Sequence, residues 1–174
     1  MSTAYIALGA NLSNPKESFL EALSRLENQG VAIKRVSGLW QSPSWPPGKG
    51  HPDYLNAVAE VACNYKPMEL LQILQSIELE LGRQRTVRNA PRTLDLDILD
   101  FSGNIVDSEA LTLPHPRMLT RGFVLFPLSQ IAPNWQDPKT AKSIQEFIAK
   151  LPLDDVAPMQ YVGQFYFDNS NTGQ

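Results

Sequence analysis

Between Tyr54 and Phe101 the spacing of apolar residues changes twice, which commits the chain to a fold that mixes strands with helices. From Tyr54 to Cys63 the period is two: Leu55, Ala57, Ala59, Val61 and Cys63 share one face of a strand, while Tyr54, Asn56, Val58 and Glu60 share the other. From Pro67 to Leu81 it is helical, with Leu70, Leu71, Leu74, Ile77 and Leu81 inward and Gly82 as the stop. From Arg92 to Phe101 it returns to two, and Leu94, Leu96 and Ile98 oppose Thr93, Asp95 and Asp97. The same order occurs upstream. Residues 3–10 read as a first strand, and Ser13-Asn14-Pro15 as a cap with proline at the first helical position. The helix that follows carries Phe19, Ala22, Leu23 and Leu26 at helical spacing and stops at Gly30, and residues 31–41 read as a second strand.

Pro43, Pro46, Pro47, Pro52, Gly48 and Gly50 make residues 42–52 a long irregular loop, and loops of that length in compact domains serve function or stay disordered. Ser102-Gly103-Asn104 predicts a turn into a short Ile105-Val106 strand, a hairpin with the strand before it. Residues 112–116 read as a proline-bounded loop carrying His115, residues 118–128 as partly helical, residues 143–151 as a last helix and residues 160–167 as strand. Residues 168–174 read as a polar tail that frays, which leaves residues 1–167 as one domain, in keeping with a 174-residue length.

Composition narrows the functional classes. A hydrophobic fraction of 43% builds a sizeable core, and a net charge of −3 supplies no global positive field for nucleic acid or anionic lipid. The lone Cys63 forms no internal disulfide, and with two histidines it builds no closed structural zinc site. The N-terminus lacks a basic segment followed by a signal-peptide core, and no apolar run reaches the ~18 residues that span a membrane. The expectation is a soluble, cytoplasmic monomer acting on small molecules.

Asp95-Leu96-Asp97 carries the sharpest chemistry. Residues two apart on a strand project from one face about 6.6 Å apart, so both carboxylates can converge on one metal or on a pair of metals. Magnesium suits them, because it takes one or two carboxylates and completes its shell with phosphate oxygens and water. A solvated outer face of an antiparallel strand reads the same way, and context separates the two. Arg83, Arg85, Arg88 and Arg92 lie just upstream, and their planar forks match phosphate oxygens in pairs. An acid pair beside an arginine cluster points to metal-bound polyphosphate, against the alternative of an exposed basic loop. His115 and Arg121 are placed to share a wall with them, although a lone histidine also serves as a hydrogen-bonded structural residue. Tyr54 and Asn56 project together from their strand, an aromatic face beside a carboxamide, as a flat hydrogen-bonding heterocycle requires. Ordinary strand packing is the other reading of that pair, and Trp40 and Trp45 read as core or as a lid. The chain contains neither G-x-x-x-x-G-K-[ST] nor G-x-G-x-x-G, and no G-x-S-x-G elbow, so phosphoryl-type transfer has to rely on metals, arginines and positioning.

The runs Tyr5-Ile6-Ala7-Leu8-Gly9-Ala10-Asn11-Leu12, Pro52-Asp53-Tyr54-Leu55-Asn56-Ala57, Glu78-Leu79-Glu80-Leu81-Gly82-Arg83, Pro91-Arg92-Thr93-Leu94-Asp95-Leu96-Asp97-Ile98 and Leu113-Pro114-His115-Pro116 together resemble the 6-hydroxymethyl-7,8-dihydropterin pyrophosphokinases of folate biosynthesis, over roughly residues 3–135. The resemblance implies an α+β fold, a three-layer α-β-α sandwich with a ferredoxin-like core, a mostly antiparallel sheet and helices on both faces. It implies transfer of pyrophosphate from MgATP to the hydroxymethyl group of the pterin, releasing AMP. By motif position Asp95 and Asp97 would hold two Mg2+ ions, with Arg83 and Arg92 also catalytic. Gln75, Glu78, Arg85, Arg92, Ile98, Leu111, Thr112, His115 and Arg121 would bind ATP. Tyr54 and Phe123 would sandwich the pterin, with Ser42, Pro43, Trp45 and Asn56 around its edge. Where many members carry Arg-Trp-Gly-Pro-Arg this chain has Arg88-Asn89-Ala90-Pro91-Arg92, so the tryptophan that covers the closed site is missing and Trp45 is the candidate to supply cover. The competing expectations are a metal-dependent nucleotidyltransferase and a non-catalytic ferredoxin-like nucleotide-binding module.

Overall fold

The computed structural model describes residues 1–11, 14–44, 50, 52–82 and 94–168. Strand β1 (Ser2–Ala10) turns Ala4, Ile6, Leu8 and Ala10 into a core and leaves Tyr5, Ala7 and Gly9 half-buried on its other face. It runs antiparallel to β4 (Tyr54–Cys63) on one side and to β5 (Asp95–Phe101) on the other. Beyond β4 lie β2 (Ala32–Val36) and β3 (Leu39–Ser42), and β8 (Gln160–Gly163) adds to β3, giving the order β5-β1-β4-β3-β8 with β2 also on β4.

Both faces of this sheet are covered. Helices α1 (Pro15–Asn28) and α2 (Pro67–Gly82) bury Phe19, Leu23, Leu26, Leu70, Leu74 and Ile77 against Ile6, Leu8, Ala59, Val61, Leu96 and Ile98. On the opposite face α3 (Gly122–Ile131) and α4 (Ile144–Ala149) bury Val124, Leu125, Leu128 and Ile144 with Val58, Leu99, Met118 and Trp135. Each fully buried Leu or Ile contributes about 1.5–3 kcal/mol through removal from water, so the two cores together tie every layer to the sheet. With β2 and β3 as two pieces between α1 and β4, the order β1-α1-β2-β3-β4-α2-β5 gives the three-layer α+β sandwich with a ferredoxin-like, antiparallel sheet that the resemblance implies.

Several local expectations need correction. The strand predicted over residues 31–41 is broken into β2 and β3 at Ser37-Gly38, and both pieces pair with β4. The break has a packing cause: a Cβ on Gly38 would stand 2.4 Å from the Tyr161 ring, and Gln130 Oε1 accepts from Gly38 N–H (3.1 Å) and from Trp40 Nε1–H (3.0 Å). Trp40 therefore packs between layers, its ring stacked on Phe126 at 5.3 Å, and is no lid. The predicted hairpin of β5 with Ile105-Val106 does not form. Instead β6 (Val106–Asp107) pairs with β7 (Thr112–Leu113) inside the segment read as a loop, because Ser108 and Leu111 close a turn between them. Asn14 makes no side-chain cap; Ser18 Oγ–H donates to its carbonyl instead. Strict alternation in β5 stops at a bulge, where Ile98 faces Ile6 and Asp100 faces Tyr5. Leu99 keeps to the α3 side with Asp95 and Asp97, and the bulge brings Asp100 to that side as well, where it accepts from Trp135 Nε1–H at 2.9 Å. Helix α4 is not the last, since α5 (Leu153–Val156) follows it, and the strand predicted over residues 160–167 is regular only in β8. No helix is long and apolar enough to cross a membrane among the described residues.

Candidate active site

The register of three strands sets the site. On the face covered by α3, Ala7 lies between Asp97 of β5 and Val58 of β4. One pleat on, Gly9 lies between Asp95 and Asn56. The acidic pair and the carboxamide are thus held one strand apart on either side of residues too small to fill the space between them. A cavity of about 690 Å³ opens over these rows. Its lining includes Gly9, Asp95 and Asp97 from the sheet, Ser42, Pro43, Tyr54 and Asn56 at the β3–β4 end, His115 after β7, and Arg121 and Phe123 at the start of α3.

Asn56 is 5% exposed. Its Nδ2 donates to the Trp40 carbonyl (3.1 Å) and to Ser42 Oγ (2.9 Å). Both N–H donors are used inside the protein, so Oδ1 is what the group offers a ligand. That oxygen faces Gly9, where a Cβ would stand 3.6 Å away. The arrangement asks a ligand for a donor, such as a ring N–H.

His115 Nδ1 accepts from the Arg117 backbone N–H at 3.1 Å, and the His115 N–H donates to the Leu99 carbonyl at 2.8 Å. With Nδ1 an acceptor, the neutral ring carries its proton on Nε2. Burial pushes its pKa below the ordinary histidine value; the Asp97 carboxylate opposes that shift, while the positive charges of Arg121 and Arg117 add to it. Arg121 stands with its guanidinium carbon 5.4 Å from the Phe123 ring centroid, a cation–π contact that orients both.

The structure brings together Ser42, Pro43, Tyr54, Asn56, Asp95, Asp97, His115, Arg121 and Phe123 of the residues expected from the sequence. Others do not line the cavity. Ile98 and Leu111 turn their side chains into the core with α1 and α2, Thr112 sits in β7, Gln75 is exposed on α2 and Glu78 is half-buried there. Trp45, Arg83, Arg85, Arg88 and Arg92 lie outside the described residues. Sequence reading missed Gly9 and the wall made by Asp154, Asp155, Pro158 and Met159. The first stood in the first strand and in the run from Tyr5 to Leu12 with no role assigned to it, and the second carried no motif.

Residues 5–133 match the family described as 7,8-dihydro-6-hydroxymethylpterin-pyrophosphokinase. The 2-amino-4-hydroxy-6-hydroxymethyldihydropteridine pyrophosphokinase of Pseudomonas aeruginosa is 40% identical over 153 residues, covering 87% of this chain and 93% of that one. The protein of the same name from Haemophilus influenzae is 45% identical over 135 residues, covering 76% and 82%. Folic acid synthesis protein fol1 of Pneumocystis carinii is 38% identical over 89% of this chain, which spans only 21% of that longer protein. Among solved structures, a Plasmodium falciparum HPPK-DHPS triple mutant with pteroate superposes with a TM-score of 0.70 at 13% identity, over 92% of this chain and 46% of that one. That likeness supports the fold described above, and the sequence matches carry the rest: the chain belongs to the 7,8-dihydro-6-hydroxymethylpterin-pyrophosphokinase family.

Proposed function

We propose that the chain transfers pyrophosphate from MgATP to the hydroxymethyl group of 6-hydroxymethyl-7,8-dihydropterin, with AMP as the other product. The observation that carries the reading is the pairing of Asp95 and Asn56 across Gly9 in one cavity, which sets a metal-phosphate half beside a heterocycle half. In the heterocycle half, Tyr54 and Phe123 supply aromatic faces for the ring, and Asn56 Oδ1 accepts from a ring N–H. Ser42 and the Trp40 carbonyl hold that carboxamide in place.

In the phosphate half, Asp95 and Asp97 fit Mg2+ by chemistry: two carboxylates, hard oxygen ligands, on one face of one strand. Two carboxylates leave most of an octahedral shell to phosphate oxygens and water, and the reading assigns two ions to them. Bound there, the metal supplies Lewis-acid stabilisation of charge on the phosphate oxygens. His115 Nε2–H and the Arg121 guanidinium donate to phosphate oxygens, and Arg83, Arg85 and Arg92 add fixed positive charge. Gly9 leaves the reacting groups room to approach, which converts binding energy into orientation.

The test is direct. Protein, Mg2+, ATP and 6-hydroxymethyl-7,8-dihydropterin are mixed, and AMP is expected only when the pterin is present. Release of free pyrophosphate instead of AMP would mark nucleotidyl transfer, and no turnover by the folded protein would mark a binding module.

A further inference from the structure

Helix α5 and the chain leading from it into β8 form a wall of the cavity through Asp154, Asp155, Pro158 and Met159. The stretch lies beyond residue 133, where the family match ends. It is anchored on both sides. Leu151 is buried in the α3 core, and β8 pairs with β3 through Trp40 opposite Tyr161 and Gln41 opposite Gln160. Tyr161 is further seated over Gly38 and against Trp40, their ring centroids 5.3 Å apart. Between these anchors the Met159 N–H donates to the Val156 carbonyl at 3.0 Å.

Met159 rests on Gly122. A Cβ at position 122 would stand 2.7 Å from the Met159 sulfur, closer than real contacts allow. Gly122 opens α3 and is followed by Phe123, and both line the cavity with Met159. The missing side chain at position 122 is therefore the seat of the thioether. Methionine is apolar and has rotatable bonds to spare, so it yields when its seat is filled. The other side of Met159 is the cavity, and yielding narrows the cavity.

We infer that Met159, seated on Gly122, is a specificity-determining residue that sets how large a heterocycle the Phe123 end of the cavity admits. The inference rests on the reading of that end as the pterin site. Its ligand class is the neutral, flat acceptor ring, and the nucleotide half is not involved. Gly122→Ala pushes the thioether into the cavity, while Met159→Ala removes it.

The experiment compares the wild type, G122A, M159A and the double variant. It measures equilibrium binding of 6-hydroxymethyl-7,8-dihydropterin, and of the same compound enlarged by a ring alkyl group, in the presence of Mg2+ and a non-hydrolysable ATP analogue. One methylene-sized change in a close-fitting pocket is worth about 10-fold or more, so G122A is expected to weaken the natural acceptor by at least about 10-fold. Affinity for the ATP analogue stays within about twofold, because a Cβ at position 122 meets Met159, Phe126 and Leu151 and none of the side chains assigned to the phosphates. The double variant regains most of the loss, and M159A binds the enlarged compound more tightly than the wild type does. Melting temperatures show that each variant is folded, and tighter binding of the enlarged compound by M159A is the readout that a merely structural role would not give. The inference is overturned if the double variant is no better than G122A, if acceptor and nucleotide weaken together, or if M159A treats both acceptors as the wild type does. A wild type that binds the nucleotide analogue but no pterin sinks the proposed function itself, which is a different result.

Discussion

Asn56→Ala separates two jobs that one carboxamide does. Its Nδ2 makes two hydrogen bonds, to the Trp40 carbonyl at 3.1 Å and to Ser42 Oγ at 2.9 Å, in a group that is 5% exposed. Each bond contributes about 1 kcal/mol net, and leaving the carbonyl short of a donor in a buried place adds up to about another 1 kcal/mol. The loss is then about 2–3 kcal/mol, which lowers the melting temperature of a domain of this size by about 4–12 °C. Removal of Oδ1 also deletes the acceptor for a ring N–H, and pterin affinity falls by about 10-fold, with nucleotide affinity unchanged. Asn56→Asp discriminates further. It keeps an acceptor toward Gly9 but replaces both donors with a carboxylate facing the Trp40 carbonyl, so it destabilises at least as much as Ala while retaining more of the pterin affinity. Calorimetric melting and titration with the pterin measure the two effects separately. A melting temperature for Asn56→Ala within a degree of the wild type, or Asn56→Asp binding pterin no better than Asn56→Ala, would refute the division of labour.

Further outcomes follow from the same geometry. Asp97→Asn keeps the size and removes the charge of one exposed carboxylate, so kcat is expected to fall by at least about 100-fold with little change in melting temperature; an unchanged kcat with an unchanged Mg2+ requirement counts against the metal assignment. Tyr54→Ala removes one aromatic face and weakens pterin binding by about 1 kcal/mol or more in titration, while the ATP analogue binds as before. Tyr5 stands between Glu60 and Asp100 on neighbouring strands, and burial, then the Glu60 carboxylate, raises its pKa above 10, with Arg35 partly offsetting them. Above pH 10 the unfolded chain loses this proton first, so stability contributed by Tyr5 is present below pH 10 and is lost as pH rises toward the folded value. Tyr5→Phe should flatten the alkaline fall in melting temperature, and an unchanged slope would show that the phenol is not responsible.

How much of this was legible in the sequence depends on the distance over which each feature is decided. Faces of strands are local. Alternation alone put Asp95 with Asp97 and Tyr54 with Asn56, and the structure keeps both pairs on the cavity side. Which strands become neighbours, and in what register, is decided by packing of residues far apart in the chain, so no local pattern placed Gly9 between Asp95 and Asn56. The breaks have the same origin. Gly38 interrupts a run of good strand formers because Tyr161, from the far end of the chain, needs its space. Asp100 leaves the alternation at the bulge because Trp135 of the α3 core donates to its carboxylate. Gly122 and Met159 repeat the Gly38–Tyr161 relation inside the cavity: in each case a glycine is the seat of a side chain from the last strand or its approach. Both large partners come from residues 159–161, so the same short segment that adds the edge strand also shapes the site, and the two roles are coupled. A change that loosens Tyr161 from Gly38 lets Met159 shift on Gly122, and is expected to relax the choice of acceptor before it abolishes nucleotide binding.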